Sequence, residues 1–299
     1  MAKKKAPVYD FPMPMDNETL IGHMGTVKTF MDAWNNRSTH PIHPVWILTG
    51  PRGIGKATLA YKLARMVYGN VGDFFIIDIA HNIDKDGKNK PDAKEISVHT
   101  VRGMIDKMQL SSMSGDWRVV LIDSLDELNK AASNAILKLL EEPPEKTLFL
   151  LVAHQLSNVL PTIRSRARVE KMRPLSISEL RDLCVRFMPD ADISSEVLKL
   201  SNGSFGKIAD MNRTGGDVVY DELIEALQNE STTSSDLMFI AKKIAPTPEV
   251  YSILLDAIAY FGLADLYPSA TKSISDITNL HLEPEIAIFK MLMEIKKCL

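Results

Sequence analysis

Residues 45–58, VWILTGPRGIGKAT, limit what this chain can fold into more than any other stretch. A short, nearly continuous apolar run, Val45–Thr49, reads as a strand buried on both faces. It breaks into a turn holding Gly50, Arg52, Gly53 and Gly55 and closing on Lys56. Gly50, Gly55 and Lys56 match G-x-x-x-x-G-K-[ST] at every position but the last, where Ala57 stands and Thr58 follows one place late. Between a strand and a helix, such a turn aims backbone N–H groups and a helix N-terminus at phosphate. Lys56 would reach the β- and γ-phosphates, and the missing hydroxyl is the group that would hold Mg²⁺. The plain alternative is a tight turn without a ligand.

The rest of the chain is read around that unit. Helical spacing at Leu20, Met24, Val27, Phe30, Met31 and Trp34 predicts a helix within 17–36, and Thr58–Tyr68 predicts the helix after the turn. Further strands are expected at Asp73–Ile79, Arg118–Asp123, Thr147–Ala153 and Val169–Met172, with helices at Ile96–Leu110 and Leu128–Glu142. The last of these helices is stopped by Pro143-Pro144. Strands alternating with helices at this spacing predict a parallel, doubly wound α/β sheet. After Arg173-Pro174 only helices are expected. The domains are read as a disordered lead at 1–16, an α/β core at 17–173, a small helical lid at 174–213 and a helical domain at 214–299, with Thr214-Gly215-Gly216 as the break.

Composition excludes several classes. The 299 residues are 45% hydrophobic and 24% charged, with a net charge of −3, which argues against a protein that coats nucleic acid by itself. No apolar run reaches the roughly 20 residues of a membrane span, and the lysines at the start have no apolar segment behind them, as a secretory signal requires. Two distant cysteines, Cys184 and Cys298, suit a reduced, cytoplasmic setting and supply no zinc site.

Four groups carry candidate chemistry. The third strand ends in Asp123, placed to hold Mg²⁺, but the next residue is Ser124, which cannot activate water as an acid there would. Asp126 and Glu127 lie further on and read as solvated acids at a helix start. With Ala57, this makes two hydrolytic groups missing at once. Pro161–Arg168 (PTIRSRAR) alternates Arg164, Arg166 and Arg168. A planar, permanently charged guanidinium suits phosphate oxygens and can serve a neighbour's site in trans, although a lone surface arginine is more often solvated or paired with an acid. Ser201–Lys207 (SNGSFGK) gives a turn before a helix, with Lys207 facing either a nucleotide or solvent.

Taken together and in order, GPRGIGKATLA, VVLIDSLDELNKAASNAILKLLEEPPEKTLFLLVAH, LPTIRSRAR and SNGSFGK resemble bacterial clamp-loader subunits of the AAA+ class, most closely the delta-prime kind within DNA polymerase III. The resemblance covers about residues 17–213. It implies an AAA+ P-loop core with a helical lid and a C-terminal helical collar. It also implies a non-catalytic place in a replicative polymerase holoenzyme, with gamma/tau and delta siblings, a sliding clamp and primer–template DNA as partners. The phosphate loop (Gly50, Arg52, Gly53, Gly55, Lys56, Ala57, Thr58), Asp123 and Lys207 then form a weak or vestigial ATP or ADP site. Arg166 corresponds to the arginine of a Ser-Arg-Cys finger motif, here Ser165-Arg166-Ala167. Relatives often carry a four-cysteine zinc module where Gly69-Asn70-Val71-Gly72 stands, so no zinc is expected. Two alternatives are a motor subunit of the same ring, with Thr58 and Asp126 or Glu127 standing in for the missing groups, and an unrelated AAA+ scaffold ATPase.

Overall fold

The computed structural model describes Tyr9 and residues 11–69, 73–109, 117–280 and 283–299. The chain divides into two compact units, Pro12–Leu175 and Ser176–Leu299, the second joined by Phe11.

In the first unit, α1 (Met24–Asn35) precedes β1 (Val45–Thr49) and α2 (Lys56–Tyr68). Then come β2 (Phe74–Asp78), α3 (Val98–Gln109), β3 (Arg118–Asp123), α4 (Lys130–Glu141), β4 (Thr147–Ala153), a short α5 (Pro161–Arg164) and β5 (Arg168–Lys171). The five strands form one parallel sheet in the order β2-β3-β4-β1-β5. Alternation along the strands explains why the central ones read as continuous apolar runs. Val45, Ile47, Val120, Ile122, Phe149 and Leu151 face α3 and α4, meeting Val101, Met104, Ile136 and Leu140. Trp46, Leu48, Val119, Leu121, Leu148 and Leu150 face α1 and α2, meeting Phe30, Trp34, Leu59 and Leu63. Both faces are covered, as a parallel sheet requires, and each fully buried Leu or Ile contributes about 1.5–3 kcal/mol.

Strand pairing sets the site. Thr49 lies beside Ala153, Asp123 beside Val152, and Asp78 beside Asp123. The C-terminal ends of β1, β2, β3 and β4 therefore share one edge, where open α/β sheets bind ligands.

Helices α6 (Ile177–Phe187), α7 (Ser195–Leu200), α8 (Phe205–Thr214), α9 (Gly216–Gln228), α10 (Ser234–Ile244), α11 (Ser252–Tyr260), α12 (Tyr267–Leu280) and α13 (Pro284–Cys298) make the second unit. Their starts are set locally: Ser176 and Thr233 form capping boxes with Glu179 and Asp236, and Ser194 and Ser204 cap α7 and α8. The break read at Thr214-Gly215-Gly216 is a sharp corner. Gly215 has φ 71° and ends one helix while starting the next. Pro268 lies in the first turn of α12, where the ring is tolerated.

Of the lead read as disordered, residues 1–8 and 10 lie outside the described residues. The part described is mostly exposed but makes some contacts. Phe11 meets Phe205 edge-on at 5.7 Å, while Met15 and Glu18 offer carbonyls to Arg65 and Lys62 of α2.

Candidate nucleotide site and surface arginine

The glycine turn adopts the backbone its sequence demands. Gly53 and Gly55 have φ of 77° and 97°, left-handed values that other residues rarely adopt. At Gly50 a Cβ would stand 2.6 Å from the Met172 carbonyl oxygen. Gly55 begins α2 without a side-chain cap, and the first turn of α2 holds no acid. Among the described residues, neither a cap side chain nor a first-turn acid thus competes for the N-terminal N–H groups of this 13-residue helix. His23 supports the turn from beneath, its Nε2 2.7 Å from the Ile54 carbonyl oxygen.

Lys56 is 3% exposed, and its Nζ donates to the carbonyls of Gly50 (2.8 Å) and Pro51 (2.6 Å). Burial pulls its pKa down to about 8, opposed by the charges of Asp123 and Asp126. It is therefore charged at neutral pH, but held at a cost. Asp123 is the mirror case: burial, helped by the charges of Glu127 and Asp78, pushes its pKa up to about 6 despite Lys56 and Arg52. These residues fit the phosphate of a nucleotide. Gly50, Gly53, Gly55 and Lys56 would hold it, with Arg52 exposed beside them. They do not supply the hydroxyl ligand of a metal: Ala57 has none, and Thr58 is buried one residue further round α2. Among the described residues no group of three His, Cys, Asp or Glu side chains is placed to hold a metal ion. The zinc expectation rested on Gly69-Asn70-Val71-Gly72, where residues 70–72 lie outside the described residues.

Asp126 corrects the sequence reading, because it is not a solvated acid. Its carboxylate accepts the Ser124 hydroxyl (2.5 Å) and the backbone N–H groups of His154 (3.0 Å) and Gln155 (3.0 Å). It ties the turn after β3 to the end of β4. These hydrogen bonds outweigh its partial burial and hold its pKa below the usual carboxylate range. Glu127 is different: half-buried, it has its pKa raised by desolvation while Arg52 opposes the shift, and its charge acts on Asp123.

Two residues at this edge, Asp78 and His154, were missed in the sequence, and a third was named but set aside. Asp78 ends β2 in register with Asp123 and binds His81 at 2.7 Å. Glu127 was set aside with Asp126. His154 directly follows β4, and burial, with Lys56 nearby, lowers its pKa, so it is neutral at pH 7. A polar residue immediately after the all-buried run TLFLLVA was the signal for it.

The arginine run divides by partner. Arg164 is half-buried, and its Nε has no hydrogen-bond partner among the described residues. Arg168 pairs with Glu170 at 2.9 Å and lies 4.4 Å over the Trp46 ring. Arg166 follows α5 and reaches the surface. Its Nη1 donates to the Thr162 carbonyl (2.9 Å) and the Ser165 hydroxyl (3.3 Å), and its Nη2 lies 2.7 Å from Glu141 Oε1 at the end of α4. Lys207 stays within the helical unit. Its Nζ is 2.6 Å from Asp256 on α11 and also donates to the Leu200 carbonyl at 3.4 Å.

The sequence profile of a family described as "DNA polymerase III, delta subunit" matches residues 26–176, half of the chain and nearly all of the unit that carries the loop and the arginine. The chain belongs to this family. The gamma subunit of DNA polymerase III from Buchnera aphidicola subsp. Schizaphis graminum is similar at 28% identity over 205 residues, covering 64% of this chain and 56% of that one. The delta' subunit from Pseudomonas aeruginosa is similar at 32% identity over 183 residues, covering 53% and 52%. This member of the family thus spans only about half to two thirds of the length of such relatives. A DNA polymerase III gamma subunit-related protein from Thermotoga maritima shares the fold, with a TM-score of 0.50 at 15% identity, over 90% of this chain and 98% of that one. Among the described residues no helix is long and apolar enough to cross a membrane.

Proposed function

We propose that this chain is the delta-prime-like member of a replicative DNA polymerase III clamp loader. It would assemble with gamma/tau and delta siblings in the cytoplasm, contribute to placing a sliding clamp on primer–template DNA, and act on a neighbour's ATP through Arg166. One observation carries the reading. At the nucleotide edge Ala57 offers no metal ligand, Ser124 offers no acid, and the carboxylate of the nearby Asp126 is already bound by three donors. Meanwhile Arg166 brings a guanidinium to the surface beyond the sheet. The loop keeps the means to hold phosphate and lacks the means to cleave it, while an arginine is well suited to complete a site in trans.

The chemistry that follows is binding and orientation. The turn N–H groups and Lys56 hold phosphate; Asp123 and Glu127, without a metal, oppose negative charge there, so affinity is weak. Bound nucleotide would supply the phosphoryl group, but the base that would activate water is missing next to Asp123.

The test uses the full chain reconstituted with the ATP-hydrolysing subunits of its own cell. With Arg166→Ala, turnover at the one site this chain would complete falls on the order of a thousandfold or more. Ring ATPase equal to wild type sinks the assignment. A second reading, an ATP-hydrolysing motor subunit, is favoured by Glu127, a half-buried acid with a raised pKa whose charge acts on Asp123. Turnover by the isolated chain that disappears in both Lys56→Ala and Glu127→Gln would establish it instead.

A further inference from the structure

We infer that Glu141 is a positioning residue for Arg166, holding the guanidinium in the direction from which it meets a phosphate on another subunit; the inference rests on the trans role given to Arg166 above. The base of the side chain is fixed, because Ile163 is 1% exposed and its carbonyl accepts the Arg166 N–H at 3.1 Å. From that anchor two independent elements grip the fork. The Thr162 carbonyl of α5 takes Nη1 at 2.9 Å, and Glu141, the last residue of α4, takes Nη2 at 2.7 Å. Counting the Ser165 hydroxyl, three of the five N–H groups of a guanidinium are engaged. Nε–H and one N–H of Nη2 have no partner among the described residues, so two donors remain for an anion.

A long arginine side chain otherwise spreads over many rotamers, and each immobilised one costs entropy when a phosphate captures it. The Glu141 carboxylate meets part of that cost in advance. Glu141 and Arg166 are 46% and 35% exposed, so the pair is screened by solvent and its effect is modest. A preorganised, charge-assisted contact also favours one orientation of the planar fork, which a bidentate phosphate contact needs.

The full chain carrying Glu141→Gln, Arg166→Ala or both is reconstituted with the ATP-hydrolysing subunits. Glu141→Gln is expected to lower kcat by up to about fivefold, the equivalent of the roughly 1 kcal/mol ceiling for an exposed pair. The KM for ATP is expected to stay unchanged, and Glu141→Gln to cause no further fall in the Arg166→Ala background. In the isolated chain with labelled arginine, NMR is expected to show faster rotation of the Arg166 guanidinium in Glu141→Gln with backbone shifts preserved. An unchanged or raised kcat, an equal fall without Arg166, or unaltered guanidinium rotation overturns the inference. If Arg166→Ala itself leaves ring ATPase at the wild-type level, the trans reading fails and takes the inference with it. If Arg166→Ala abolishes stimulation while Glu141→Gln changes nothing, only the role of Glu141 fails.

Discussion

Replacing Asp123 with Asn is expected to stabilise the isolated chain, by an amount that depends on pH. The carboxylate sits at the end of a strand whose neighbours are buried, with Asp78 in register beside it and Glu127 close by. Its folded pKa of about 6 exceeds the ordinary carboxyl value of 3.8. A raised carboxyl pKa means that the group favours the folded state fully below pH 3.8, and that this contribution is lost as pH rises through 6. Above pH 6 the wild type therefore carries the whole penalty of an ionised, poorly compensated acid, and Asn carries none. A shift of about two units corresponds to about 3 kcal/mol at pH 8, about half of that at pH 5, and close to zero by pH 3.8. Residual solvent access reduces these figures, so about 1–3 kcal/mol at pH 8 is the expected range. Urea unfolding of both proteins, followed by far-UV circular dichroism at pH 8 and pH 5, measures it. The midpoint of Asp123→Asn should exceed wild type at pH 8, and the gap should narrow at pH 5. A variant less stable than wild type at pH 8, or a gain that does not vary with pH, refutes the reasoning.

Two further outcomes follow from packing and pairing. Lys207→Met strips the partly buried Asp256 of its ammonium partner and should destabilise the helical unit by about 2–4 kcal/mol, below the usual cost of breaking a fully buried pair; Asp256→Asn in the same background should recover part of the loss in urea melts. Gly50→Ala drives a methyl group to 2.6 Å from the Met172 carbonyl oxygen. It should weaken retention of ADP by the isolated chain in equilibrium dialysis and lower the unfolding midpoint, an overpacking effect of about 1–3 kcal/mol.

The legible parts of this chain were those fixed by local pattern. Val45–Thr49, Arg118–Asp123 and Thr147–Ala153 are apolar because both faces of a parallel sheet are covered, so their runs and boundaries could be read directly. The glycine turn was equally plain, since Gly53 and Gly55 need left-handed backbone and few other residues accept it. The illegible parts depend on partners distant in sequence. Asp126 looked like an exposed acid because its N–H donors lie 28 and 29 residues away. Lys207 could not be assigned, since its carboxylate partner is 49 positions further on. The contact of Phe11 with Phe205 was illegible for the same reason: nothing local foretells it.

The bond from Ser124 to Asp126 makes certain changes hard to undo. An acid introduced at position 124 would remove the hydroxyl that Asp126 holds and set a second negative charge beside it. That disturbs the clasp on His154 and Gln155 that keeps the end of β4 in place. An acid at position 124 is thus expected to give a less stable protein unless Asp126 changes with it. The small serine hydroxyl thus fixes which side chains position 124 can accept: its value lies in what it gives to Asp126, two residues away.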